Sequence, residues 1–471
     1  MIHTLIKNIG AIKHAEFSLG DLTIICGGNN TGKTYVTYAL YGFLEQLENL
    51  IEIDLESNYI KQLISEGEVL IKLEPYIKNI NNTLKQACEK YSHNLEKTFA
   101  SNPELFKHSA FSLSINNSDA DILSRINLSE FERHIKTPSK DDIFTISKKI
   151  NDTAIKVTFI VNEESLKLSD NTIKEVITDC IKVIVFTKLL PKPFIATAER
   201  TGATIFRDDL NLSRNRLLDS INDVKDNFSL FKQIFKQNYS DYALPIKNDL
   251  EFIRNLKNIS KKISFLKTEH PDILEDFEAI IDGKYVVSTK DELLYKPNNK
   301  ELKLTMDESS SSIRALLNIG FYLNHIAQPG DLLMIDEPEL NLHPENQRKL
   351  ARIFSKLTKV GIKIFITTHS DYIIKELSTL IMLNNAQHGD NRLKKIVEQE
   401  KIHLDELLAH DKVKVYIAEK SKIKVDQNTR STIENTLTIA KITLETGIEA
   451  RSFDTTIEDM NRIQEAIYWG E

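Results

Sequence analysis

Cysteine is scarce: Cys26, Cys88 and Cys180 are the only three in 471 residues. They stand far apart and form no C-x-x-C pair, which argues against a disulfide-stapled scaffold and a cysteine-held zinc site, and for a reducing compartment. No apolar run is long enough to span a bilayer. The first residues break their apolar runs with Lys7, Lys13, His14 and Glu16, unlike a signal peptide. A cytoplasmic chain without a membrane partner is therefore expected. An excess of positive charge is missing too. The net charge is −7, so any contact with nucleic acid must use a local patch. Low-complexity segments and internal repeats are absent. The length exceeds a usual single core, so two or three lobes are expected.

What the chain does carry is Gly27-Gly28-Asn29-Asn30-Thr31-Gly32-Lys33-Thr34, which reads G-x-x-x-x-G-K-T without a mismatch. Leu22-Thr23-Ile24-Ile25-Cys26 before it is apolar and β-branched, as a buried strand should be. After it, Val36, Leu40, Phe43, Leu44 and Leu47 recur at helical spacing. Strand, glycine loop and helix start, in that order, are the context of a phosphate-binding loop. Gly27, Asn29, Asn30 and Gly32 belong to the loop whose N–H groups would point at phosphate oxygens, with the helix N-terminus behind them. Lys33 is expected at the β- and γ-phosphates of ATP, and the Thr34 hydroxyl on Mg²⁺.

Asp331-Leu332-Leu333-Met334-Ile335-Asp336-Glu337 is an apolar strand ending in two carboxylates, about 300 residues further on. In a phosphoryl-transfer site the first acid supports Mg²⁺ and the second polarises the attacking water. Ile362 to Thr367 reads as another strand, ending at Thr368-His369-Ser370. A histidine at such a tip lies where parallel sheets bind ligands. Four serines, Ser309 to Ser312, precede an apolar helix from Ile313 to His325. Ser310 and Ser311 are consistent with an anion site at a helix start and equally with a simple N-cap.

Elsewhere, residues 1–25 read as strands and Tyr35 to about Thr98 as mostly helix, with a polar loop near Asn81-Asn82. Alternating runs at Ala110–Ile115 and Ile143–Val161 read as strands, Asn171–Lys188 as a helix, and Lys192–Thr197 as a strand ending at the charged pair Glu199-Arg200. Residues 205 to about 280 read as helical. Ile253, Leu256, Ile263 and Leu266 fall on one stripe, with Arg254, Lys257, Lys261, Lys262 and Lys267 around it. Such a face is either an arm that touches DNA or a partner protein, or a solvated surface, the commoner meaning of a charge run. Tyr285–Leu304 reads as a hairpin turning at Pro297-Asn298-Asn299.

Together these residues resemble the ATP-binding-cassette (ABC-type) ATPases, in particular the group of the OLD-type, RecF and structural-maintenance-of-chromosomes (SMC) ATPases. The opening LIKNIGAIKHAEFSLGDLTIICGGNNTGKT, the Walker B and D-loop stretch LLMIDEPELNLHPENQ, the switch-histidine strand IFITTHS and ESSSSIR at the signature position carry the likeness. The ending GIEARSFDTTIEDMNRIQEAIY is similar to that of stand-alone antiphage-defence ATPases such as the PtuA ATPase of Septu and retron systems, or the AriA ATPase. The resemblance implies an α/β fold: an ABC-type head in two lobes, with a P-loop parallel sheet, antiparallel strands and a helical insertion. It divides the chain into 1–204, the N-terminal part of the head; 205–284, the helical arm; and 285–471, the part with signature, Walker B and switch histidine. It makes Glu337 the catalytic base, His369 the γ-phosphate sensor, Asp336 and Thr34 the Mg²⁺ supports, and Ser310 and Ser311 contacts to nucleotide on a second subunit. The family's signature glycine is replaced here by Ser311 or Ser312, and its Q-loop glutamine has no assigned counterpart.

A Toprim nuclease would add an early Glu followed by Gly and a later D-x-D. After His369 the chain offers Glu419 followed by Lys420, and Asp454 followed by Thr455-Thr456; the D-x-D at Asp119–Asp121 lies far upstream. The expectation is an ATPase without its own nuclease, a homo-oligomer of ATPase dimers controlling a separate nuclease or toxin in phage defence. Its rivals are a DNA-repair ATPase that binds DNA directly and a non-hydrolytic nucleotide-dependent scaffold.

Overall fold

The computed structural model describes residues 2–136, 142–159, 169–187, 189–205, 242–288, 292–298, 301–385, 390–423, 432–449 and 451–469. The chain divides into two compact units, one of Met1–Leu5, Phe43–His93 and Ala110–Lys192, the other of Ile6–Gly42, Asn94–Ser109 and Pro193–Glu471.

The first unit holds an antiparallel sheet in the order Glu68–Lys72, Ala154–Phe159, Asp142–Lys148, Phe131–Lys136. Alternation buries Val69 and Ile71 on one face and leaves Leu70 exposed on the other. Helix Ile80–Ser92 covers the turn expected at Asn81-Asn82: Ile80, Leu84, Ala87, Cys88 and Tyr91 repeat at helical spacing and are buried. Cys88 Sγ accepts the Leu113 N–H at 3.2 Å, and Tyr91 meets Phe111 edge to face. Helix Asp170–Phe186 is capped by Ser169, whose hydroxyl accepts the Thr172 N–H; Lys188 of the expected helix lies outside the described residues.

The second unit is built on a mixed sheet in the order Ile12–Ser18, Thr432–Ile439, Val413–Ile423, Leu22–Cys26, Lys363–Thr368, Leu332–Asp336, Pro193–Ala196. The last five strands run parallel. Leu22–Cys26 and Leu332–Asp336 are buried at every residue, as strands covered on both faces must be. Helices Ser311–His325, Pro344–Lys359 and Asp371–Leu383 contribute Leu317, Phe321, Phe354, Leu357, Ile373 and Leu380 to its core. The fold is the α/β class expected.

Two local readings differ. The stretch Tyr285–Leu304 is not one hairpin but part of three antiparallel strands: Leu293–Pro297 pairs with Leu304–Thr305 beyond Pro297-Asn298, as expected of that turn, and also with Gly283–Val287 before it. The basic stretch is not one helix but several, Leu244–Arg254, Leu256–Ile259 and Phe265–Glu269, so Ile263 falls between helices and is 63% exposed. Of the helical insertion expected at 205–284, residues 206–241 lie outside the described residues.

Candidate nucleotide site

Strand register decides which residues meet. Asp336 stands beside Thr367, Thr368 beside Cys26, and Ile335 beside Ala196. The segments leaving these strands therefore emerge at one carboxyl edge of the sheet, where open α/β sheets bind ligands. From Leu22–Cys26 comes the glycine loop, from Leu332–Asp336 the acid pair, from Lys363–Thr368 His369, and from Pro193–Ala196 the pair Glu199-Arg200.

The loop has the backbone of a phosphate cradle. Gly27, Asn30 and Gly32 take φ of +140°, +61° and +97°. A Cβ on Gly27 would stand 2.4 Å from the Ala418 carbonyl oxygen, so this position admits only glycine. Gly28 faces open space, and Asn29 is exposed. Lys33 opens helix Lys33–Glu45, is buried, and donates from Nζ to the carbonyls of Gly27 and Gly28 at 3.0 and 2.8 Å. Burial pushes its pKa down, while the nearby Glu337, Asp336 and Glu339 oppose that shift.

Thr34 Oγ1 donates to Asp336 Oδ2 at 3.0 Å, and the Thr367 hydroxyl donates to Asp336 Oδ1. Burial raises the Asp336 carboxyl pKa; those two hydrogen bonds lower it and the charges of Glu337 and Glu199 add to the rise. A hydroxyl and a carboxylate beside a lysine and a glycine cradle make a hard-oxygen donor set that fits Mg²⁺ with phosphate.

Glu337 has φ +53°, rare for a side chain of this kind. Its N–H is held by the carbonyl and hydroxyl of Thr367 at 3.1 and 3.3 Å. Its Oε1 lies 3.7 Å from His369 Nδ1. Glu339, nine-tenths buried, accepts the His369 N–H at 2.8 Å and stands 3.3 Å from Nδ1 with the same oxygen. The next residue, Ser370, caps helix Asp371–Leu383, which fixes the backbone that carries His369.

Lys33, Thr34, Asp336, Glu337 and His369 are thus brought together. Among the described residues, no hydrogen bond joins Ser310 or Ser311 to these five: Ser310 caps helix Ser311–His325 by accepting the Ile313 N–H at 3.4 Å, and both serines are exposed. Glu419 accepts a hydrogen bond from Thr438 at 2.7 Å in the antiparallel part of the sheet. Glu339 belongs to none of the expected site residues, and Arg200 stands out in the sequence only as half of a charged pair at a strand tip, a candidate neighbour of the Q-loop position without an assigned role. Glu339 is an acid between Pro338 and Leu340, two places after the acid pair, which is a signal for neither burial nor contact. Arg200 is fully buried, against the usual surface preference of arginine.

A glycine cradle, a lysine at its end and a hydroxyl–carboxylate pair at a parallel sheet's carboxyl edge define a P-loop nucleotide site. A family model for the AAA ATPase domain (AAA_15) matches residues 1–374, and the chain belongs to that family. No curated protein matches the sequence. Among solved structures, an SMC head bound to the C-winged helix domain of ScpA aligns at 11% identity and TM-score 0.34, covering 94% of this chain and 98% of that one. The Pyrococcus furiosus SMC head with an extended coiled coil, bound to the C-terminal domain of ScpA, aligns at 12% and 0.32, covering 98% and 100%. The Thermotoga maritima SMC head aligns at 10% and 0.26, covering 79% and 90%. None of its described helices is long and apolar enough to cross a membrane.

Proposed function

We propose that this chain is an ABC-type ATPase that binds and hydrolyses ATP with Mg²⁺ and uses the cycle to control a separate effector. The observation that carries the reading is the convergence of Lys33, Thr34, Asp336, Glu337 and His369 on one sheet edge. Lys33 would hold the β- and γ-phosphates. Mg²⁺ held by Thr34 and Asp336 would neutralise phosphate charge. Glu337 takes the proton of the attacking water, and His369 faces the terminal phosphate. The exposed Ser310 and Ser311 at a helix start are suited to contact nucleotide on a second copy of the chain.

The effector reading, a nuclease or toxin in bacterial antiphage defence, rests on the sequence resemblance. So does the placing of 205–284 as an arm on a head formed by 1–204 and 285–471. The test is Glu337→Gln. It should bind MgATP, stop turning over and accumulate as a larger species on sizing columns only when ATP is present. Wild-type turnover in that variant would remove Glu337 from the base role. Purified chain incubated with plasmid, linear DNA and tRNA, with Mg²⁺ or Mn²⁺, should cut none of them. Cleavage that survives Glu337→Gln and disappears on substituting Glu419 or Asp454 would overturn the separate-effector reading.

A further inference from the structure

Arg200 opens the short helix Arg200–Ile205 and is fully buried. Among the described residues, its guanidinium pairs with no carboxylate at hydrogen-bond distance. Four of its five N–H donors go to main-chain carbonyls: Nε to Ala315, Nη1 to Thr197 and Asp336, Nη2 to Glu337, each at 2.7 Å. Its charge is balanced at longer range by Asp249, Asp336, Glu339 and Glu337. A planar fork spread over carbonyls from separate elements holds backbone in place, which a lysine's point charge does less well.

The backbone it holds is the unusual one. Glu337 sits in the left-handed region, which persists only where the surroundings over-determine it. Its N–H is fixed by Thr367, its carbonyl by Arg200 Nη2, and the carbonyl before it by Arg200 Nη1. The direction in which the Glu337 side chain leaves the chain follows from these anchors. Ala315, whose carbonyl accepts from Arg200 Nε in the same grip, lies in the first turns of helix Ser311–His325.

We propose that Arg200 is the positioning residue for Glu337, holding its strained peptide so that the carboxylate is aimed at the water it activates, and tying that peptide to the serine-capped helix. This rests on Glu337 acting as the base.

The experiment compares Arg200→Lys and Arg200→Gln with wild type, each alone and combined with Glu337→Gln. Turnover is normalised to the fraction of protein that binds ATP, so misfolded protein enters neither number. The expected result is a fall in kcat of about 100-fold with KM for ATP within about threefold, because a small misplacement of a reacting group costs rate and not ground-state binding. Arg200→Lys should retain more activity than Arg200→Gln. Neither should lower the residual rate of Glu337→Gln further. Wild-type kcat in both variants, a further fall in the Glu337→Gln background, or a loss of ATP binding that matches the loss of rate overturns the proposal. If neither variant folds, Arg200 serves the core alone and the proposal falls. Wild-type turnover in Glu337→Gln by itself instead sinks the reading of the site, whatever Arg200 does.

Discussion

Glu339 holds His369 twice with one oxygen: Oε1 accepts the histidine's own N–H at 2.8 Å and lies 3.3 Å from its Nδ1. A carboxylate beside one ring nitrogen favours the tautomer that carries its proton there. The Oε2 atom of Glu339 is buried with no hydrogen-bond partner among the described residues, so the acid is committed to this contact at some expense in solvation. Glu339→Gln keeps the shape and weakens the grip. Its kcat should fall roughly 10- to 100-fold, as for other carboxylates that orient a histidine, with ATP affinity little changed. Glu339→Ala should lose no more than His369→Ala does. Steady-state kinetics beside equilibrium ATP binding checks both, and a wild-type kcat in Glu339→Gln would remove the orienting role.

Lys33→Ala should cost ATP binding on the order of a few kcal/mol, the scale of charge-assisted contacts to phosphate. Lys33 also bridges the Gly27 and Gly28 carbonyls, so the loop itself should loosen in the variant. Titration of ATP against folded variant is the measurement. Unchanged affinity would remove Lys33 from the phosphates.

Asp249 sets a pH dependence of stability. Its carboxyl is raised from 3.8 to about 7 by burial, against hydrogen bonds from Thr197 and Asn318 and the charge of Arg200. A raised folded pKa means the native chain binds the proton more tightly than the unfolded one. The contribution is therefore fully present below about pH 4 and is lost as pH rises through about 7. Relative to Asp249→Asn, wild type should lose stability over that window, on the order of 4 kcal/mol in all. Denaturant unfolding of both chains at pH 5 and pH 8 reads the slope; parallel curves would show that Asp249 does not titrate there.

The three cysteines should be silent in the native chain. All are free and buried, and burial pushes the thiols of Cys26 and Cys88 up to about 12 and that of Cys180 up as well. Thiolate is the reactive form, so an aromatic disulfide reagent at pH 8 should label none of them before unfolding and all three after it. Rapid labelling of native protein would contradict the buried placement.

The nucleotide loop was legible because its function needs residues at fixed short spacing. Glycines, lysine and threonine act from one continuous turn, and local chemistry alone specifies that turn. Asp336-Glu337 and His369 were legible as ends of apolar strands, since a buried parallel strand announces itself by composition. The hairpin near Tyr285 was legible only in part, for the opposite reason. Pro297-Asn298 is a good turn signal, but pairing of Tyr295 with both Tyr285 and Leu304 decides which turn joins which strands. Ile263 matched a helical stripe by spacing, yet the chain breaks into short helices there and leaves it exposed.

By itself, then, the sequence determined the α/β class, the phosphate loop and the acids and histidine at strand ends, because periodicity and turn chemistry act over a few residues. Only the tertiary structure decided that Glu339 grips His369 and that Arg200 reaches Ala315, Asp336 and Glu337, contacts spanning 30, 115, 136 and 137 positions. No local pattern encodes them. They exist because parallel strands bring distant segments to one sheet edge, and because a buried charge there must find its partners among whatever that edge presents.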